Sequence, residues 1–192
     1  MSISKLSIPR GFTLIETIVV ITLFTIMLFA LFNFFINYNN TYLYEEAVVR
    51  TASSAGALVT DVTMYALPAT QVLASRTFNG VTYTSGGGVL VLEVPAVNAA
   101  GAVVSATYDY VAFYSTGTKA YRIISANAAS TRVSGTKQLS DSVSSLTFVY
   151  DNVSFPVVTK IEIDVVTALQ VKGSTATQHL NQEVHLRNDS VI

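Results

Sequence analysis

The chain has 192 residues, enough for one ordinary domain with one appended element. Half of them are apolar, only 12% are charged and the net charge of −1 gives no hint of a nucleic-acid partner, which usually needs a basic face. The absence of cysteine excludes a disulfide framework, a thiolate metal site and a thiol nucleophile.

The N-terminal residues, MSISKLSIPRG, contain Lys5 and Arg10 and no acid. From Phe12 to Ile36 a single ionisable side chain, Glu16, interrupts the apolar run. As a helix this segment spans roughly 38 Å, more than the hydrocarbon core of about 30 Å requires. Its apolar residues fall on all sides, as expected of a helix in lipid or in a bundle interior. The basic residues ahead of it place the N-terminus in the cytoplasm and everything after Ile36 outside. A cleaved secretory signal fits poorly, because the apolar run is too long and Phe32-Asn33-Phe34-Phe35 offers no small-residue cleavage site. A plain membrane anchor fits the length but gives Glu16 no task, and a carboxylate in a span marks a functional site by default. Length and flanking charges argue against a buried core helix.

The string Pro9-Arg10-Gly11-Phe12-Thr13-Leu14-Ile15-Glu16 resembles the cleavage signature of type IV prepilins and pseudopilins. The resemblance implies a basic leader, residues 1–11, that prepilin peptidase removes after Gly11. It implies N-methylation of the new terminal residue, Phe12, and an assembly role for Glu16. Cleavage would expose a cationic amine on Phe12. In a filament of staggered parallel helices, the Glu16 carboxylate of a neighbouring subunit can pair with it. The resemblance further implies partners in other pilin or pseudopilin subunits, an inner-membrane assembly platform and lipid. Ligand, DNA or secreted cargo are the contacts such a subunit would make near a filament tip. Many major pilins carry a Pro within the apolar segment. Here Asn33 occupies that neighbourhood and no Pro follows Phe12 until Pro68, so an unkinked helix is expected. This leans towards a minor pilin or pseudopilin.

Helical patterning continues beyond the span. Val48, Ala52, Ala55, Val59, Val62 and Ala66 recur at intervals of 4, 3, 4, 3 and 4, one face of a helix. Gly56 lies within the pattern, and Pro68 ends it near Leu67. Residues 12–36 thus read as the transmembrane and assembly helix, and 37–67 as its amphipathic continuation. Residues 68–192 read as a β-rich extracytoplasmic domain. Tyr38, Tyr42 and Tyr44 follow the span as rings suited to a membrane interface.

Strands are expected at Val89–Val94, Tyr108–Tyr114 and Tyr121–Ile124. The alternations Leu146/Phe148/Tyr150 and Ile161/Ile163/Val165 predict two more, and a last one covers Gln182–Arg187. Thr77–Thr84 and Ala96–Ser105 are hard to place. The expected fold is α+β, a long N-terminal helix packed on an antiparallel sheet. The course of residues 105–190 is similar to the larger minor subunits, the J-type minor pseudopilin of type II secretion and the W-type minor pilin.

Other chemistry-bearing residues point to no reaction. His179 and His185 would share a strand face, but no third metal ligand stands at suitable spacing. Glu162 and Asp164 look solvated, and Asp141 and Asp151 lack calcium-loop spacing. Gly86-Gly87-Gly88 lacks the following Lys-Ser/Thr of a phosphate loop. The expectation is a structural assembly protein without catalytic residues, cofactor or metal, which moves from the cytoplasmic membrane to an extracytoplasmic filament. The rival is a membrane-tethered binding module that never assembles. Nothing in the sequence separates pilus, secretion and competence systems.

Overall fold

The computed structural model describes residues 13–187. It has one long helix, α1 (Leu14–Ala66), and ten strands. The chain forms two compact units, one up to Leu43 and one from Tyr44 on.

In the first unit, α1 is regular, and every side chain from Thr13 to Tyr42 is exposed. Polar residues within the apolar stretch satisfy themselves on the helix backbone. The hydroxyls of Thr17, Thr22 and Thr25 donate to the carbonyls of Thr13, Ile18 and Ile21. Asn33 Nδ2 donates to Phe29 O at 2.9 Å. A side chain that bonds one turn back needs no outside partner, which keeps the cost of placing it in an apolar medium low.

The second unit is the α+β domain, with the remainder of α1 packed on antiparallel sheets. A five-stranded sheet has the order β1 (Gln71–Val72), β4 (Val89–Val97), β5 (Val103–Thr116), β6 (Lys119–Ser125), β7 (Gly135–Ser140). A three-stranded sheet has the order β10 (Ser174–His185), β9 (Lys160–Val171), β8 (Val143–Tyr150). The sheets are stitched by Phe148 N–H to Gly87 O and Val143 N–H to Thr118 O, each 2.8 Å, next to the turns that lead into β4 and β6. The hairpin of β2 (Ser75–Phe78) and β3 (Val81–Thr84) turns at Asn79-Gly80, both with positive φ, and so resolves the uncertain stretch Thr77–Thr84.

Alternation decides where the core lies. Leu90, Leu92 and Val94 of β4, Val111 and Phe113 of β5, and Ile161, Ile163 and Val165 of β9 all face Leu58, Val62 and Ala66 of α1. The opposite residues Val91, Ala112 and Ile123 pack under Phe78 of the β2–β3 hairpin as a second, smaller core. Both faces of the central strands are therefore apolar.

The buried helix face differs from the expected stripe. Val48 and Ala52 are exposed, and Ala47 and Thr51 are buried in their place, joined by Leu58 and Tyr65. The physical reason is hydroxyl chemistry. Thr51 returns its hydroxyl to Ala47 O and Val48 O, and its own carbonyl accepts from Thr167 Oγ1 at 2.9 Å. Ser54 Oγ meets Ser140 Oγ at 2.6 Å and accepts from Ser142 Oγ at 3.2 Å. Polar residues thus carry the N-terminal part of this interface and rotate its phase.

Strand β5 is longer than expected and begins at Val103. β10 occupies Ser174–His185 where only Gln182–Arg187 was expected. β1 and β7 were not anticipated.

One largely buried charged pair fastens α1 to the sheet. Arg122 takes an inward position on β6, shared with Ile124, and its Nη1 lies 2.8 Å from both carboxylate oxygens of Asp61. The guanidinium also lies over the Tyr65 ring, 4.8 Å from its centroid. Both side chains are only 13% exposed. Removing one partner strands the other charge, which costs about 3 kcal/mol, the low end for buried pairs. Urea unfolding of a fragment beginning at Tyr44 is expected to show this loss for Asp61→Ala, and most of it recovered in Asp61→Leu/Arg122→Met. At Gly56 an added Cβ meets nothing within 4 Å. Gly56→Ala is therefore expected to raise the same unfolding free energy by up to about 1 kcal/mol.

Candidate functional site

The first turn of α1 holds the one carboxylate of the apolar segment. Thr13 precedes the helix and Glu16 stands in its first turn. Glu16 Oε2 accepts from the Thr13 backbone N–H at 2.8 Å and from the Thr13 hydroxyl at 2.9 Å. Thr13 Oγ1 accepts in return from the Glu16 N–H at 3.3 Å. This is a capping box, in which residues three apart satisfy each other's orphan N–H groups at a helix start. The negative side chain also lies at the positive end of the helix dipole. Both bonds to Glu16 fall on Oε2, and Oε1 takes none from the described residues. Thr-x-x-Glu is a legible signal, so Thr13 could have been read from the sequence as the partner of Glu16.

The helix that carries this turn is long and apolar enough to cross a membrane. Its aromatic residues Tyr38, Tyr42 and Tyr44 are exposed, and Phe34 stacks on Tyr38 with ring centroids 6.4 Å apart. Lys5, Arg10, Gly11 and Phe12 lie outside the described residues.

Residues 8–32 match the prokaryotic N-terminal methylation motif. The match supports a type IV pilin-like protein, with a membrane-anchoring helix, processing by prepilin peptidase and assembly with other pilins. It covers the N-terminal segment alone. No curated protein and no solved structure matches the chain.

The remaining candidates are engaged in separate surface contacts. His179 Nε2 lies 2.7 Å from Asp164 Oδ2, and His185 Nε2 lies 3.1 Å from Glu183 Oε1. The two histidines share a face of β10 but each is bound to its own carboxylate. Glu162 accepts from Asn181 Nδ2. Lys160 Nζ sits 3.0 Å from Glu183 Oε2, a contact that raises the Lys160 pKa and lowers that of Glu183. Asp141 pairs with Arg50 at 2.7 Å. Asp151 accepts from the N–H of Thr159 and from its hydroxyl. Burial tends to raise its pKa, but the bonds from Thr159 and Lys160 outweigh this and hold it low. Among the described residues, no three His, Asp or Glu side chains are grouped to hold a metal ion. The Gly86-Gly87-Gly88 turn is committed to the sheets. Gly86 N–H donates to Val89 O, Gly87 O accepts from Phe148, and Gly86 O accepts from the Tyr150 hydroxyl.

The capping box makes a measurable claim. Thr13→Val keeps the shape and removes the hydroxyl, which typically costs about 1 kcal/mol at an N-cap. Amide exchange of the first helical turn, followed by NMR in micelles, is expected to quicken about fivefold in Thr13→Val. Thr13→Ser should exchange at the wild-type rate.

Proposed function

We propose that this chain is a minor pilin or pseudopilin, a structural subunit of a type IV pilus-like filament. Prepilin peptidase cleaves it after Gly11, and Phe12 becomes its N-methylated first residue. The observation that carries the reading is the single carboxylate of the apolar segment, Glu16, in the first turn of a helix exposed from its start to Tyr42, inside the matched segment 8–32. Before cleavage the protein is a single-span protein of the cytoplasmic membrane, with Lys5 and Arg10 on the cytoplasmic side. After cleavage the apolar helix enters a filament core alongside those of other subunits, with help from an assembly platform. Like contacts that do not close into a ring build such a filament.

The capping box supports a division of labour within Glu16. Oε2 holds the helix start, and Oε1 is left for the Phe12 amine of a neighbouring subunit. The carboxylate can then be satisfied in the lone subunit and gain a second partner on assembly. Withdrawing it would leave that amine buried and uncompensated, a penalty of about 3–5 kcal/mol. The minor-subunit reading rests on the absence of Pro between Phe12 and Leu67 and on the size of the β-rich domain. Affinity purification of the filament with its neighbours would distinguish pilus, secretion and competence systems.

The mass of the mature N-terminus tests the proposal. A chain beginning at methylated Phe12 is expected. An intact Met1 would favour the tethered binding module, and a cut beyond Ile36 would make the segment a secretory signal. Glu16→Gln tests the charge pairing, since it keeps size and hydrogen bonding. It should be inserted and cleaved as in wild type, yet enter filaments poorly relative to the cleaved membrane pool. Equal incorporation would show that charge is not what Glu16 contributes.

A further inference from the structure

The loop between β8 and β9 carries the sequence Asp151-Asn152-Val153-Ser154-Phe155. Asn-x-Ser or Asn-x-Thr, with x other than Pro, is the acceptor triplet for glycan transfer to an asparagine amide. The chain contains the triplet three times, as Asn39-Asn40-Thr41, Asn152-Val153-Ser154 and Asn188-Asp189-Ser190. The last lies outside the described residues. The first is wound into α1, and its Thr41 hydroxyl donates to Asn37 O at 3.1 Å. The middle one stands in a turn.

Asn152, Val153 and Ser154 are all exposed, Val153 at 99%. Asn152 Oδ1 accepts from the Ser154 backbone N–H at 2.9 Å, closing an Asx turn. An aspartate makes the same turn, so the turn needs Oδ1 and not the amide nitrogen. Ser154 is the N-cap of the short 3-10 helix Phe155–Val157, yet its hydroxyl makes no cap bond. Among the described residues, Asn152 Nδ2 and Ser154 Oγ therefore have no hydrogen-bond partner. These are the two side-chain groups that glycan transfer uses. The loop keeps its shape without them. Asp151 accepts from the Thr159 N–H at 3.1 Å, and the Asp151 N–H donates to Lys160 O at 3.3 Å. Phe155 packs edge-on against Tyr150, with ring centroids 5.2 Å apart.

We propose that Asn152 is an N-glycosylation site, which takes an oligosaccharide from a polyprenyl diphosphate carrier. A membrane-bound transferase on the extracytoplasmic side catalyses the step. Asn152 Nδ2 attacks the anomeric carbon of the sugar. The N–C1 bond forms as the C1–O bond to the diphosphate breaks, and the polyprenyl diphosphate leaves. The displaced amide proton passes to a base of the transferase. The exposed Ser154 hydroxyl is the group by which the enzyme recognises the triplet. Asn39 cannot offer the same presentation, because its backbone is closed into a helix and its Thr41 hydroxyl is engaged by Asn37. The attached sugar would shelter the apolar Val153 at the loop tip. Glycosylation requires residues 68–192 to lie outside the cytoplasm, and so rests on the membrane topology proposed above.

The test is mass spectrometry of the full chain isolated from the cells that make it. Cleavage after Tyr150 by chymotrypsin and after Lys160 by trypsin releases residues 151–160. Electron-transfer fragmentation then places any added mass on Asn152, Ser154 or Thr159. A glycan mass on Asn152 is expected, with Asn39 bare. Asn152→Gln and Ser154→Ala should each lose it, and Ser154→Thr should keep it. All three changes lie at exposed positions outside the core, so the fold is not at stake. An unmodified Asn152, a mass on Ser154 instead, or a mass that survives Ser154→Ala overturns the proposal. The chain has no cysteine, so Asn152→Gln/Val153→Cys gives a single thiol at the loop tip. A membrane-impermeant maleimide added to spheroplasts should label it. Labelling together with a bare Asn152 in the wild-type chain rejects glycosylation and leaves the membrane topology standing. No labelling together with a bare Asn152 removes the topology, and glycosylation with it.

Discussion

The backbone of an α-helix satisfies its own hydrogen bonds, and everything else in this structure follows from that. A strand left bare of neighbours would expose a row of unpaired amides. A helix can be exposed to hydrocarbon along its whole length at no such cost. The first thirty or so residues of α1 use this freedom completely, since none of their side chains is covered. The later part of the same helix uses the other property of the form, a face that repeats every three to four residues and can be laid on a sheet. One element therefore serves two environments, with Glu16 at one end and Pro68 just past the other.

The second environment makes strict demands on the strands. Central strands β4, β5 and β6 are apolar on both faces because α1 covers one and the β2–β3 hairpin covers the other. Asp109, paired with Arg132, is one charged exception on the inner face; Arg122 is the other, and its partner Asp61 is the charged exception on the buried side of the helix. Neither would be tolerated alone. Together, with the Tyr65 ring above the guanidinium, they fix the axial position of α1 on β6 in a way that interchangeable apolar contacts do not.

Much of this was legible in the sequence, and the failures have a common cause. The apolar run, its carboxylate, the helix end at Pro68 and the strands built on Val, Ile and Phe alternation are all local signals. Edge strand β7, Gly-Thr-Lys-Gln-Leu-Ser, has no apolar alternation, because it belongs to the rim of the sheet and buries little. β1 has two residues and no pattern at all. The stretch 96–105 was obscure because the β4–β5 register shifts between Pro95 and Val97, and Ala106 takes a positive φ. The stripe on α1 was misphased at its N-terminal end because it was traced through apolar Val48 and Ala52, whereas polar Thr51 is buried and Ser54 half-buried. Only Ser140 and Ser142 opposite Ser54, and Thr167 opposite Thr51, brought there by the fold, make the inward position favourable. The capping box lay within reach, since Thr13 and Glu16 are neighbours on one helical turn.

The grip of the domain on its helix is graded. From Ala47 to Ala55 it consists of hydroxyl contacts, two buried alanines and the exposed Arg50–Asp141 ion pair, contacts of small net worth. From Leu58 to Ala66 it consists of close-packed hydrocarbon and the Arg122 clasp. A load that peels α1 away from its N-terminal side would therefore meet little resistance for two turns and then a sharp rise near Leu58. Mechanically, the helix is bonded at its far end and merely laid down at its near end, so the first two turns act as a compliant strain relief ahead of a rigid fixture.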